Sequence, residues 1–329
     1  MQNFRGTSIN KNRDGWVEIN LSNLEHNVLK IKEYLKNNCK GSIPDLFAVI
    51  KADGYGHGSL MCAPTLIACG VKEFGVASID EGIELRENKI TNPILVLGAS
   101  PIWAFENAIQ NDIAISVFND EHLDVARQLY KRLNKQLKRF QSVVEPYKDQ
   151  FKKIGAKIHC LNSPGTFSYP EYCYDMIRMG IIMWGLTPYS NYNEYVSDML
   201  PVMGLKARIT NIHTLKKGEG ISYGHTFIAP KDMLVATIPI GYADGIARNL
   251  SGKITASLNG KTINQIGRIT MDQIMFDVSD VDCSVGDVMV LLGEENKADS
   301  IDSWAEKLNT INYELTCRLK MRLPRIYVR

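Results

Sequence analysis

Phe47-Ala-Val-Ile-Lys-Ala-Asp-Gly-Tyr-Gly-His-Gly58 reads as an apolar strand that stops on a lysine and passes straight into a glycine-rich loop carrying Tyr55 and His57. The apolar run up to Lys51 is unbroken, which marks a strand buried on both faces, as in a parallel sheet covered by helices. In such sheets ligands bind at the C-terminal ends of strands. Lys51 therefore stands where an amine can meet a ligand, and a partly desolvated lysine is a capable Schiff-base nucleophile. Taken singly, a lysine ending a strand is an ordinary surface residue. The string around it gives the position its meaning.

Outward from this stretch, short apolar runs alternate with helical patterns. Strands are expected at Phe47–Ala52, Phe74–Ser78, Pro93–Gly98, Ile113–Phe118, Lys157–Asn162 and Met176–Met183. Between them lie patterns such as Ser22–Asn37, where Leu24, Val28, Ile31 and Leu35 recur at helical spacing. The alternation predicts an α/β fold with a parallel sheet; a TIM-like barrel and an open doubly wound sheet both fit it. From about Leu205 the texture changes to short strands separated by turns such as LKKGEG, SLNGK and VDCSVGD, with one helix at IDSWAEKLNT. This predicts an α/β domain over residues 1–200 and a mostly antiparallel β domain over 201–329. The strand WVEINL, residues 16–21, fits either. From Glu121 to Ile154 apolar residues step by three or four without a strand, predicting one long amphipathic helix, or two joined near Pro146.

The 329 residues suffice for about two domains. A formal charge of +2 offers no global attraction for nucleic acid or a membrane surface, and the basic face of the Glu121–Ile154 stretch is the kind that is usually just solvated. No apolar run has the roughly 18 residues of a spanning helix, and the polar start lacks the apolar core of a signal peptide. Seven dispersed cysteines without a C-x-x-C pair predict reduced thiols in a cytoplasmic protein and no structural metal.

The segment A-V-I-K-A-D-G-Y-G-H-G closely resembles the pyridoxal-phosphate (PLP) attachment signature of alanine racemases. Further segments follow in that family's order: Trp16–Asn27, Ser78–Arg86, His159-Cys-Leu-Asn-Ser163, Asp175-Met-Ile-Arg-Met-Gly180, Ile221-Ser-Tyr-Gly224, Gly241-Tyr-Ala-Asp-Gly245, Gly267-Arg-Ile-Thr-Met-Asp-Gln273 and Ile311-Asn-Tyr313. The likeness covers almost the whole chain from Trp16. It implies a TIM-like (β/α) barrel followed by the β domain, in a head-to-tail homodimer with shared active sites.

The resemblance also implies roles. Lys51 would hold PLP and act as one of two bases, with Tyr223, arriving from the second subunit, as the other; racemisation needs a proton acceptor on each face of the α-carbon. Arg178 would face the pyridine nitrogen, where a permanently protonated guanidinium has no proton to give, with His159 orienting it. Tyr55, Ser163, Tyr313 and the amides of Gly180 and Ile181 would hold the phosphate, and Asn162 would belong to the same cofactor-binding set. Met271, Asp272 and Tyr242 would lie on the substrate side, with Arg248, Arg268 and Ile311 further out.

Two of the family's features are missing from the sequence: a D-T-G-M-x-R-x-G motif after the fourth barrel strand and a T-H-F-x-x-A-D strand. With them go an arginine and a lysine that serve the cofactor and the substrate carboxylate. Only about six barrel strands remain where a closed barrel has eight, so the barrel is expected to be incomplete, its edges covered by the long helix. Trp184 stands where the family usually has tyrosine. The expected activity is interconversion of L- and D-alanine, supplying D-alanine for peptidoglycan. The alternatives are a PLP-binding remnant without turnover and a serine/alanine racemase, because a hydroxyl added to a methyl is weakly discriminated.

Overall fold

The computed structural model describes residues 14–39, 42–101, 104–116, 140–142, 144–187, 198–293, 298–319 and 322–329. The chain packs as two compact units: Val28–Gly54 with Ala63–Gly180, and Met1–Asn27 with Tyr55–Cys62 and Ile181–Arg329. They interleave along the sequence, so segments from the first 200 residues belong with the C-terminal sheet.

The strands are β1 (Gly15–Asn20), β2 (Asp45–Val49), β3 (Glu73–Val76), β4 (Ile94–Ala99), β5 (Ile113–Ser116), β6 (Met176–Met179), β7 (Met203–Arg208), β8 (Asn211–Leu215), β9 (Gly220–Ile221), β10 (Phe227–Ile228), β11 (Met233–Ile238), β12 (Thr255–Leu258), β13 (Lys261–Ile266), β14 (Ile274–Asp277), β15 (Val288–Leu292) and β16 (Arg325–Val328).

The first unit holds a five-stranded sheet in the order β5-β4-β3-β2-β6, every neighbouring pair parallel. Its strands are short and apolar: Phe47, Phe74, Ile94, Val96, Ile177 and Met179 are all buried. The helix Ile79–Glu87 is started by Ser78, whose side chain accepts the Glu81 N–H. Among the described residues this sheet has five strands, not six. Lys157–Asn162 is extended but forms no ladder. It makes single backbone bonds, Asp175 N–H to Ile158 O at 3.0 Å and Arg178 N–H to Leu161 O at 2.9 Å. The expected strand Met176–Met183 ends at Met179, and Ile181–Trp184 is a 3₁₀ turn. Most of the predicted Glu121–Ile154 helix falls on residues 117–139, outside the described residues. Its described end is a 3₁₀ turn over Glu145–Tyr147, containing Pro146, and a helix over Lys148–Lys153.

One cysteine expectation is overturned. Cys39 and Cys173 form a disulfide across a sequence separation of 134, with Cα atoms 6.1 Å apart. Spacing in sequence gives no hint of this pair, because the sheet creates the proximity. Cys39 lies just ahead of β2 and Cys173 just ahead of β6, and these strands are neighbours. At the same N-terminal edge Asp45 pairs with Lys72 and Lys157, and Lys157 also pairs with Glu73. The remaining cysteines form no disulfide among the described residues.

The second unit is built on a nine-stranded sheet, order β16-β1-β7-β15-β12-β13-β14-β11-β8, antiparallel throughout except for β1 with β16. The strand WVEINL thus pairs here, between the last strand of the chain and β7. Asn27 anchors the helix that follows β1 (Leu21–Asn38): its Nδ2 donates to Met183 O and Leu200 O, and its Oδ1 accepts Leu200 N–H. The helix expected at IDSWAEKLNT spans Ile301–Leu308, and a second one, Asn312–Arg318, follows it where the sequence suggests only β structure. No described helix is long and apolar enough to cross a membrane.

Candidate active site

In the parallel unit, β2 ends at Val49, and the next residue, Ile50, still bonds through its N–H to Gly75 O at 2.8 Å. Lys51 follows, half-buried. The backbone then turns left-handed: Ala52 (φ 54), Asp53 (φ 52), Gly54 (φ 63) and Tyr55 (φ 54) lie in that region one after another. Each non-glycine residue there costs roughly 1–2 kcal/mol. The turn is held by Gly54 N–H to Ile50 O and by Glu81, whose carboxylate accepts from Ala52 N–H at 2.9 Å and Ala77 N–H at 2.7 Å. Sequence reasoning misses Glu81; its only signal there is its place in the first turn of a capped helix.

The neighbouring strand carries Arg178. The register Phe47↔Arg178 and Ala48↔Met179 aligns β6 with β2, so both approach the same C-terminal edge of the sheet. The Arg178 guanidinium donates to His159 Nδ1 at 2.8 Å and to Cys160 O at 3.1 Å. Accepting that bond requires an unprotonated Nδ1. Burial and the adjacent Arg178 charge both hold His159 below the usual histidine range, so the imidazole is the neutral partner. Past β6, Gly180 N–H donates to the buried Ser163 Oγ at 2.8 Å, which leaves the hydroxyl proton of Ser163 available to an anion. Asn162 caps the helix Ser163–Ser168, its side chain accepting Gly165 N–H at 3.1 Å.

The antiparallel unit holds the other candidates in two groups. Tyr55 is buried, its ring 5.9 Å from Tyr313 and 6.5 Å from Trp184. Burial, then Tyr313 and Cys317, raise its phenol far above the ordinary value, so it is a fixed hydrogen-bond donor. His57 stacks on Trp184 with ring centroids 4.4 Å apart. Gly56 adopts φ +81, and a Cβ there would stand 2.5 Å from Thr316 O, so only glycine fits. Ile181 is buried at the start of its 3₁₀ turn.

The second group is formed by two turns. Tyr242 N–H bonds to Thr270 O and Ala243 N–H to Met271 O, which brings Tyr242, Met271 and Asp272 together on an exposed face. Arg322 pairs with Asp272 at 2.6 Å and lies 3.7 Å from the buried Asp244. Tyr223 stands at the tip between β9 and β10, 72% exposed. Arg248 and Ile311 are both exposed. Among the described residues no cluster of His, Cys, Asp and Glu could hold a metal ion.

A strand-end lysine and a donor-only arginine on the adjacent strand thus share one edge of a parallel α/β sheet, with the buried Ser163 hydroxyl held by Gly180 N–H just past β6. Comparison with known proteins narrows this. The chain matches the model of the alanine racemase N-terminal domain over residues 19–134 and 126–188, and that of the C-terminal domain over 202–327. An alanine racemase of Nostoc sp. is 38% identical over 379 residues, covering 95% of each chain. The solved alanine racemase of Clostridium difficile in complex with cycloserine superposes with a TM-score of 0.81 at 32% identity, covering 96% of both chains. That of Bacillus anthracis with bound L-Ala-P gives 0.80 at 30%, covering 96% of this chain and 95% of the other. The chain belongs to the alanine racemase family.

Proposed function

We propose that this enzyme is an alanine racemase that interconverts L- and D-alanine with PLP, using Lys51 and Tyr223 as its two bases. The observation that carries the reading is the pairing of β2 and β6, which puts Lys51 and Arg178 at one edge of the parallel sheet. The residues fit the cofactor: a lysine for covalent attachment, the buried Ser163 hydroxyl, whose proton stays available because its oxygen accepts Gly180 N–H, for a phosphate, and a guanidinium without a proton to release. When bound, PLP supplies an electron sink conjugated with the substrate's α-carbon.

The chain's own residues do the rest. Lys51 Nζ takes or returns the α-proton on one face, and Tyr223 Oη serves the other. Arg178, held by neutral His159, would face the pyridine nitrogen with no proton to give, which would limit how far charge is drawn into the ring and disfavour side reactions such as transamination. Ser163, whose Oγ accepts Gly180 N–H, holds the phosphate end next to Asn162. Tyr242, Met271 and Asp272 shape the substrate side. Tyr223 serves the Lys51 of a second copy, so the working form is a cytoplasmic homodimer, supplying D-alanine for peptidoglycan.

A second reading, a PLP-binding relative without turnover, draws on the missing D-T-G-M-x-R-x-G motif. The Nostoc match runs over 379 residues against 329 in this chain, so the relative carries residues with no counterpart here. The deciding experiment mixes the purified protein with PLP and L-alanine in heavy water. α-Proton exchange with D-alanine accumulating is the expected result. Lys51-dependent cofactor absorbance without exchange would leave only the second reading. L-serine run in parallel tests the breadth of the substrate pocket.

A further inference from the structure

Between β9 and β10 the chain closes through a short tip that presents Tyr223 outward. Ser222, just before it, sits at φ 64, ψ 179. That combination is in practice open to glycine alone and costs of order 1–3 kcal/mol for other residues. Gly224 (φ 73) and His225 (φ 45) follow, so the tyrosine is flanked on both sides by left-handed backbone. Such a tip relaxes unless something holds it. The hold is the Ser222 hydroxyl, which donates to Arg268 O at 2.7 Å, supported by His225 N–H to Ser222 O at 3.2 Å. Gly267, at φ +67, makes room: a Cβ there would stand 3.0 Å from the Ser222 Cβ and 3.3 Å from Ile221. The segment that receives the Ser222 bond runs on directly into Met271 and Asp272.

The backbone at 222 suits glycine, yet the residue is serine. Glycine would take the conformation without strain but has no hydroxyl and more freedom. We propose that Ser222 is a positioning residue for Tyr223: its Oγ–H bond to Arg268 O fixes the strained tip and with it the phenol. This rests on Tyr223 being one of the two bases.

The test uses the PLP-loaded enzyme with Ser222→Ala and Ser222→Gly, and α-deuterated L- and D-alanine in each direction. Both variants lack the hydroxyl; only the second is free of strain. Both are expected to lose about ten- to a hundredfold in kcat, since a displacement near 1 Å is enough for that, with KM within about threefold. The primary isotope effect rises in the one direction in which Tyr223 removes the proton, and not in the other. A general folding defect would slow both directions without that asymmetry. In the cofactor-free protein, amide exchange over residues 222–226 accelerates about fivefold or more.

Wild-type kcat and isotope effects in Ser222→Ala overturn the inference, as does a loss equal in both directions with no asymmetry. Tyr223→Phe separates the two claims. If it leaves racemisation intact, the two-base reading fails, and this inference with it. If it abolishes racemisation while Ser222→Ala does not, only the role of Ser222 fails.

Discussion

The segments that carry Lys51 and Tyr223 are both built on left-handed backbone, and they differ in what holds them. After Lys51, four residues in that region are pinned by a carboxylate that bridges Ala52 and Ala77 N–H, and the turn leads into the buried Tyr55. Around Tyr223, the Ser222 hydroxyl and one backbone bond within the tip do the holding, and the side chain is 72% exposed. The strain at Lys51 is over-determined by its own unit. The strain at Tyr223 is secured locally, but its side chain stands in water, where a base is poorly controlled. In the proposed mechanism a second copy of the chain supplies the missing cover.

The sharpest way to break this comparison is to remove each base. Lys51→Ala is expected to abolish both cofactor attachment and turnover. Tyr223→Phe is expected to keep the cofactor's visible absorbance while kcat falls about 10²- to 10⁴-fold, the usual contribution of a positioned base. Absorbance and rate on the same samples check this. Cofactor loss in Tyr223→Phe would show that the two segments are not separable.

The next effect concerns the opposite edge of the parallel sheet, where the Cys39–Cys173 disulfide ties the approaches to β2 and β6. Closing so long a stretch constrains the unfolded chain by up to about 4–5 kcal/mol on the loop-entropy argument. Dithiothreitol should lower the Tm of the wild type and leave Cys39→Ser unmoved. An unchanged Tm in both would mean that the sheet needs no tie there.

Smaller again is Glu81→Gln. Losing charge-assisted bonds to two backbone N–H groups should cost about 1.5–3 kcal/mol in denaturant unfolding. Cofactor attachment should weaken with it, because Ala52 adjoins Lys51. Stability reduced with attachment intact would assign Glu81 to the helix start alone.

The smallest effect is on pH. His159 is held below the ordinary histidine value of 6.5, by burial first and Arg178 second. The unfolded chain therefore binds the proton more readily, so the contribution present in full above 6.5 is lost as pH falls through the lower, folded value. Wild-type Tm should decline in that window more steeply than that of His159→Gln. Parallel curves would remove the Arg178–His159 bond as a source of acid sensitivity.

Much of this was legible in the residues. The continuous apolar run that ends at Lys51 is enough to predict a parallel sheet, because a strand apolar on both faces must be covered on both. The strands β11 to β15 were legible from alternation and turn residues, whereas β7 and β8 read as the single run KARITNIHTL and the two-residue strands β9 and β10 are too short to show a pattern. Lys157–Asn162 misled because an apolar run satisfied by two isolated backbone bonds has the same composition as one in a ladder. The helix Asn312–Arg318, which carries Tyr313, was hidden because seven residues are too few to show a helical period.

The sequence by itself determined the alternation of strands and helices around Lys51, the lysine that follows β2 and the donor-only character of Arg178. These are properties of local pattern and side-chain chemistry. Tertiary structure alone decided that WVEINL joins the C-terminal sheet, that Cys39 meets Cys173, that Glu81 braces the Lys51 turn and that Ser222 accepts a conformation suited to glycine. Each of these depends on a partner far away in sequence, and pairing across that distance is set by the packing of the whole unit rather than by the residues on either side.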